Sequence, residues 1–276
     1  MPVAPLLITT PDRVFYRGPL GQPRLRRFAA AACYIALGGE LTWVLPRVGE
    51  GDDLSKGHGP ALWVAPGVEH QIAAGQGTVL CYLIEPEFHD LAAWSAYHAQ
   101  RFMNREGYSA SALASLSSWA PSDHASGNAP PDRTPGALDA ALDRLVLGAP
   151  LAVRALDARI AQVLDVVRAD VACAWHAADA ARHCQLSSSR FMHLFKAEVG
   201  VGWRAFRAWK RARGLLTTAQ HDESLTQLAL TLGYPDASHF SHAIRQTTGL
   251  RPSDILSGGR RLGVWSSSGL SRGVAS

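Results

Sequence analysis

The side chains best suited to chemistry in this 276-residue chain come as two matching sets. Ser189, Phe191, His193, Lys196 and Gly200 recur 49 residues later as Ser238, Phe240, His242, Arg245 and Gly249; Ala180 recurs as Ala229, and Phe195 becomes Ile244. Serine and histidine can donate or accept hydrogen bonds, and lysine and arginine donate them. Set along one side of a helix, such groups suit the edges of bases and the oxygens of phosphates, which are themselves hydrogen-bonding targets. No Ser/His/Asp or Cys/His arrangement with a supporting local motif is present, nor is a glycine loop of the phosphate-cradling kind. The chemistry on offer is recognition, and no catalytic residue is assigned.

The elements that must hold these groups can be read around them. In the first set, Ala177–Cys184 forms a short supporting helix, Gln185-Leu186 a turn, and Ser187 caps a helix Ser188–Val199 that stops at Gly200. Phe191, Leu194 and Phe195 fall at i, i+3 and i+4 and point inward, leaving Ser188, Ser189, Arg190, His193 and Lys196 outside. In the second set, Leu225–Leu232 supports, Gly233-Tyr234-Pro235 turns, and Asp236 caps Ala237–Thr248, which stops at Gly249. Phe240, Ala243 and Ile244 face inward there; Ser238, His239, His242 and Arg245 face outward. A long helix from Trp203 to Ala219 joins the two. Phe206, Trp209 and Leu216 serve its packing, and Arg204, Arg207, Lys210, Arg211 and Arg213 its surface. The pattern is a helix-turn-helix present twice, able to reach two successive turns of a major groove.

Charge is distributed to match. Residues 1–150 hold 11 Lys/Arg and 14 Asp/Glu, a net of −3, whereas residues 151–256 hold 13 and 9, a net of +4, and the last 20 add three arginines. Only the second half is suited to a polyanion. The scattered Cys33, Cys81, Cys173 and Cys184 read as reduced core thiols, which favours the cytoplasm. No apolar run approaches a membrane span, and the N-terminus has neither the basic region nor the apolar stretch of a signal peptide.

The first hundred residues are β-rich. Cys33–Leu37 and Leu41–Leu45 flank Gly38-Gly39; Ala61–Ala65 and Thr78–Glu85 are further strand-like runs; and Pro66-Gly67-Val68-Glu69-His70 is a turn between strands. Short strands with frequent turns indicate a small sandwich or barrel. Amphipathic helices are expected over 88–106 and 138–148, on either side of a Ser/Ala/Pro-rich linker, and near Leu156–Val171. Tyr34, Trp43, Trp63, Tyr82 and the turn residue His70 are candidates to line a small-molecule pocket; plain core is the other reading of the same positions. There is no His-x-His, so no metal site and no cofactor is expected.

Taken together, Leu186-Ser187, Phe191, Leu194-Phe195-Lys196 and Gly200-Val201, followed by Leu232-Gly233-Tyr234-Pro235-Asp236-Ala237-Ser238-His239-Phe240 and Gly249-Leu250-Arg251-Pro252, resemble the AraC/XylS family of bacterial transcription regulators over residues 157–256. The chain departs from that pattern at Ile244, at Ile255-Leu256, and at His193 and His242, where the family often has a basic residue. The resemblance implies base contacts by Ser189, Arg190, His193, Ser238, His239 and His242, and phosphate contacts by Lys196, Arg204, Arg207 and Arg245. Pro66–His70 also resembles the second motif of the cupin barrel, a domain such regulators often carry.

The expected fold is therefore α+β in two domains. A cupin-like β-barrel with flanking helices (1–108) senses a small molecule and dimerises. A linker with an accessory helix (109–150) follows, then an all-α domain of two helix-turn-helix units (151–256) and a disordered tail (257–276). The expected partners are promoter DNA, an effector, RNA polymerase and a second copy of the chain, with activation as the output. A metal-dependent cupin enzyme using His58 and His70 is the alternative from another class, and a non-specific nucleic-acid binder is a third.

Overall fold

The computed structural model describes residues 6–46, 54–75, 77–89, 91, 135–218, 224–248, 251–253 and 263–266. The helix expected over 88–106 lies outside these residues except at its edge, as does the linker up to residue 134.

The N-terminal half is two stacked sheets. Strands β1 (Leu6–Thr9), β2 (Arg13–Gly18), β9 (Val79–Ile84), β4 (Ala31–Ala36) and β7 (Ala61–Val64) lie side by side in that order; β3 (Leu25–Arg26), β8 (His70–Ala73), β5 (Leu41–Pro46) and β6 (Leu54–Gly59) make the second sheet. Every pairing among these nine is antiparallel. Among the described residues no ladder joins the sheets, which form an open sandwich and not the expected closed barrel. The chain crosses from one sheet to the other at Pro60, which has no N–H to continue either ladder.

Alternation dictates what the larger sheet buries. One face carries Val14, Ala32, Tyr34, Ala36, Leu62, Val64, Val79, Cys81 and Leu83. The other carries Ile8, Phe15, Cys33, Ile35, Leu80, Tyr82 and Ile84, against which Leu138, Leu142 and Val146 of helix α1 (Pro135–Leu147) pack. Strands β4 and β9 are thus covered on both sides, which is why they read as unbroken apolar runs and are buried at every residue. Pro135 opens this helix, where a missing N–H is harmless.

The C-terminal half is helical: α2 (Ala158–Ala169), α3 (Ala177–His183), α4 (Ser188–Val199), α5 (Trp203–Thr218), α6 (Leu225–Thr231) and α7 (Ala237–Thr248). Ile160, Val163, Leu164 and Val167 of α2 meet Phe191 and Phe195 of α4 and Trp203 and Phe206 of α5 in a core continuous with that of the sandwich. Its rings stand edge to face, with Phe195 centred 5.1 Å from Trp203 and 5.3 Å from Phe206. A separate small core of Leu215, Leu228, Leu232, Phe240 and Ile244 supports the second unit. Within the stretch expected to be a disordered tail, Gly263–Ser266 forms β10, parallel to β1 at the edge of the larger sheet.

Candidate nucleic-acid interface

Each recognition helix is positioned by a cap, a stop and an apolar back. Ser187 Oγ accepts the Arg190 amide at 3.3 Å to begin α4, and Gly200, at φ 82°, ends it. Phe191, Phe195 and Val199 are buried, so Ser189, Arg190, His193 and Lys196 are turned to solvent. In the second unit, Asp236 Oδ1 accepts the amides of Ser238 and His239, each at 2.8 Å, to begin α7. Phe240 and Ile244 are buried there, and Ser238, His239, His242 and Arg245 are exposed. All six expected base-reading side chains are solvent-facing, as are Lys196, Arg204 and Arg245.

The two turns differ by one residue. The backbone bond Leu186 N to Ala181 O in the first unit matches Tyr234 N to Ala229 O in the second, a spacing of 48. Helices α4 and α7 keep the spacing of 49. Ala181, and not Ala180, is therefore the counterpart of Ala229, and the second turn holds the extra residue. Both turns need a left-handed residue after the supporting helix. The second uses Gly233 at φ 75°, and the first uses Gln185 at φ 55°, a conformation that costs a non-glycine residue about 1 kcal/mol.

Arg207 does not hold its expected place. It is 5 % exposed, its guanidinium donates to the Cys173 carbonyl, and it lies 5.7 Å from the centre of the Trp203 ring. Held there, it is not placed to contact a phosphate as expected. Lys210 and Arg213, expected on the surface of the connecting helix, are also buried, because the sandwich covers that side of α5. Lys210 Nζ lies 2.7 Å from Glu85 Oε2 and 2.5 Å from Glu87 Oε1. Arg213 Nε lies 3.0 Å from Glu85 Oε1, and Trp209 Nε1 donates to the same oxygen at 2.9 Å. The Arg213 guanidinium also donates to the carbonyls of Thr10 and Pro11 in the β1–β2 turn and of Arg13 at the start of β2, and Arg168 of α2 pairs with Asp12 beside them. Burial opposes the charge on Glu85, but Lys210 and Arg213 outweigh it and hold its carboxyl below the usual range; burial dominates at Glu87 and raises it. Trp209 meets Phe28 edge to face at 5.3 Å, and the Arg27 amide donates to the carbonyl of Thr247 in α7. The connecting helix and the end of the second recognition helix are thus seated on the sandwich. The only sequence trace of this seat is two carboxylates, Glu85 and Glu87, closing a wholly apolar strand.

The expected pocket residues do not come together as one set: Tyr34 and His70 meet, but Tyr82 and Trp63 lie elsewhere. Tyr34 and His70 sit on the inner face of the larger sheet and beneath the smaller one. The Tyr34 hydroxyl lies 2.8 Å from His70 Nε2, while His70 Nδ1 donates to Val68 O at 3.0 Å. Burial lowers the His70 imidazole to about 4. Tyr82 and Trp63 belong to the opposite face, where the Tyr82 hydroxyl donates to Asp143 at 2.6 Å. That face also holds Arg13, paired to Asp143 at 2.9 Å, and Asp139, which accepts from Thr10. A cleft of about 630 Å³ lies instead on the outer side of the smaller sheet, lined by Thr42, Val44, Lys56, His58 and Gln71 together with Trp43. His58 lines that cleft and pairs with Glu40 at 3.1 Å, whereas His70 is buried beside Tyr34, so the two histidines of the metal-dependent alternative are not brought together. Among the described residues no group of three or more His, Cys, Asp or Glu is placed to hold an ion. Nor is any described helix long and apolar enough to cross a membrane.

A residue not anticipated from sequence is Arg159, which with Arg190, His193 and Ala197 lines a hollow of about 520 Å³ beside α4. Its guanidinium pairs with the α2 cap Asp157 at 2.7 Å.

Residues 180–257 match the family model described as a helix-turn-helix domain. The chain is 31% identical over 84 residues to the arabinose operon regulatory protein of Escherichia coli (strain K12), covering 29% of this chain and 28% of that one. It is 30% identical over 87 residues to the invasion protein InvF of Salmonella typhi, covering 26% and 40%. The match thus spans well under half the length of these relatives. Among solved structures, an apo form of ToxT from Vibrio cholerae is similar over 89% of this chain and 97% of its own, with a TM-score of 0.55 at 13% identity. ToxT bound to (E)-4-(8-methylnaphthalen-1-yl)but-3-enoic acid is similar over 90% and 98%, with a TM-score of 0.53. The shared fold includes both the sandwich and the helical half. By the motifs and geometry of its paired helix-turn-helix units, the C-terminal part of this chain is similar to the AraC-type transcription regulators it matches.

Proposed function

We propose that the chain is a sequence-specific activator that binds promoter DNA as a homodimer in the cytoplasm, engages RNA polymerase, and responds to a small molecule sensed by its sandwich. The observation that carries the DNA-binding part is the pair of helices whose apolar backs are buried and whose serine, histidine and cationic fronts are exposed. Ser189, Arg190, His193, Ser238, His239 and His242 take the base-reading role, and Lys196, Arg204 and Arg245 hold phosphates. The small-molecule part is supported by the seat of α5 on the sandwich and by the ligand-bound ToxT neighbour. An effector that favoured one seating over another would shift the population of arrangements presented to DNA.

The test is binding of the full chain to DNA selected from a random duplex library. Alanine at Ser189, His193, Ser238 or His242 should relax the selected sequence, each base contact being worth about 1–3 kcal/mol. Alanine at Lys196 or Arg245 should weaken all sequences alike and lower the salt slope by about one. Uniform weakening by all of them refutes the assignment.

A further inference from the structure

The position that follows the matched serine of each recognition helix, Ser189 or Ser238, is occupied by residues of opposite hydrogen-bonding sense. In the first unit it is Arg190, in the second His239, 49 residues on. The caps differ in the same way. Ser187 has one side-chain oxygen, and that oxygen is engaged with the Arg190 amide. Asp236 has two: Oδ1 caps the helix, and Oδ2 stands 2.8 Å from His239 Nδ1.

We infer that Asp236 fixes the tautomer of His239, so that the second unit reads the exocyclic amino group of an adenine or cytosine where the first unit reads a guanine. This rests on the DNA-reading role given above. A carboxylate only accepts, so the proton of the neutral ring must be on Nδ1, the nitrogen facing it. Nε2, at the far side of a side chain 70% exposed, is then left with a lone pair. In the major groove its complement is a donor, which only adenine N6 and cytosine N4 provide. Arg190 has donors alone, and its complement is the acceptor pair O6 and N7 of guanine. Asp236 touches no base in this scheme; it is a positioning residue. Two outwardly similar units are thereby made to prefer unlike half-sites, which gives a chain with a duplicated reader a defined orientation on its site.

The experiment selects duplexes from a random library with the full-length chain at pH 8. The base read by His239 is the position whose preference disappears in His239→Ala. It should be adenine or cytosine in the parent, favoured on the order of tenfold over guanine. Replacing that base by its analogue without the amino group should cost the same factor in the parent and nothing in His239→Ala. Asp236→Asn keeps the capping oxygen but presents an amide N–H to Nδ1, moving the ring proton to Nε2, so selection should turn to guanine there. Asp236→Ser, which copies the first unit's cap, should leave the position degenerate. A parent motif with guanine at that position, or one that Asp236→Asn leaves unaltered, overturns the inference while leaving the regulator reading intact. A parent that selects no sequence overturns both.

Discussion

Asp139 sits on α1 against the larger sheet, 9 % exposed, and burial raises its carboxyl to about 6 from an ordinary 3.8. At neutral pH the group is ionised both folded and unfolded, but the folded form carries the cost of the buried charge. The shift of about two units corresponds to about 3 kcal/mol. Asp139→Asn keeps the shape and the oxygen that accepts from Thr10, and leaves the neighbouring Arg13–Asp143 pair in place. Allowing about 1 kcal/mol for the new amide N–H groups left without partners, the variant should gain about 2 kcal/mol at pH 7. The sign with pH follows from proton counts. Between 3.8 and 6 the parent's folded state binds the proton more tightly than its unfolded state, so this group's stabilisation falls as pH rises. The stability difference, variant minus parent, should be smallest near pH 4 and climb to a plateau above pH 6. Urea unfolding at pH 4, 5, 6 and 7 measures it. A variant less stable than the parent at pH 7, with a difference that does not change with pH, would refute the reasoning.

His70 works in the opposite direction over almost the same range. Its imidazole is held near 4, so the unfolded chain takes up a proton first as pH falls below about 6.5, and up to about 3 kcal/mol is lost on the way to pH 4. His70→Asn, which keeps a donor for Val68 O, should lose that acid sensitivity, and its unfolding curves should converge on the parent's as pH falls. Lys210→Met leaves Glu85 and Glu87 buried with too little positive charge, and should cost about 3–5 kcal/mol in urea unfolding. Adding Glu85→Gln and Glu87→Gln to it should recover most of the loss; no recovery would mean the helix is held by packing alone. Gly233→Ala places a Cβ 2.9 Å from the Ala172 carbonyl at a positive φ, and should lower stability by about 2–3 kcal/mol, seen as an earlier thermal transition.

The reading units were legible because their information is local. A cap, a 3.6-residue apolar stripe and a glycine stop all lie within a dozen residues, and Ser187, Phe191, Phe195 and Gly200 sit where those rules put them. The one-residue difference between the turns escaped because Ala180 and Ala181 are both buried alanines and either aligns with Ala229. The barrel was overdrawn, since alternation along a strand gives its faces but not whether two sheets join. The pocket failed for a related reason. Tyr34 and Tyr82 both lie on central strands, yet fall on opposite faces of one sheet. The seat of α5 was illegible because Lys210 and Arg213 carry no mark in sequence of the carboxylates 120-odd residues earlier that neutralise them.

The short strand β10 has a topological consequence. It brings residues 263–266 back beside residues 6–9, so the two ends of the fold are neighbours in one sheet. The helical half is then not a pendant on a tether but an excursion that leaves the sandwich and returns to it. Rotation of that half is limited by a strand at its exit as well as by the salt bridges along α5. A bulky fusion placed just after Gly263–Ser266 would emerge at the sheet edge, far in sequence from the reading helices yet mechanically in series with them.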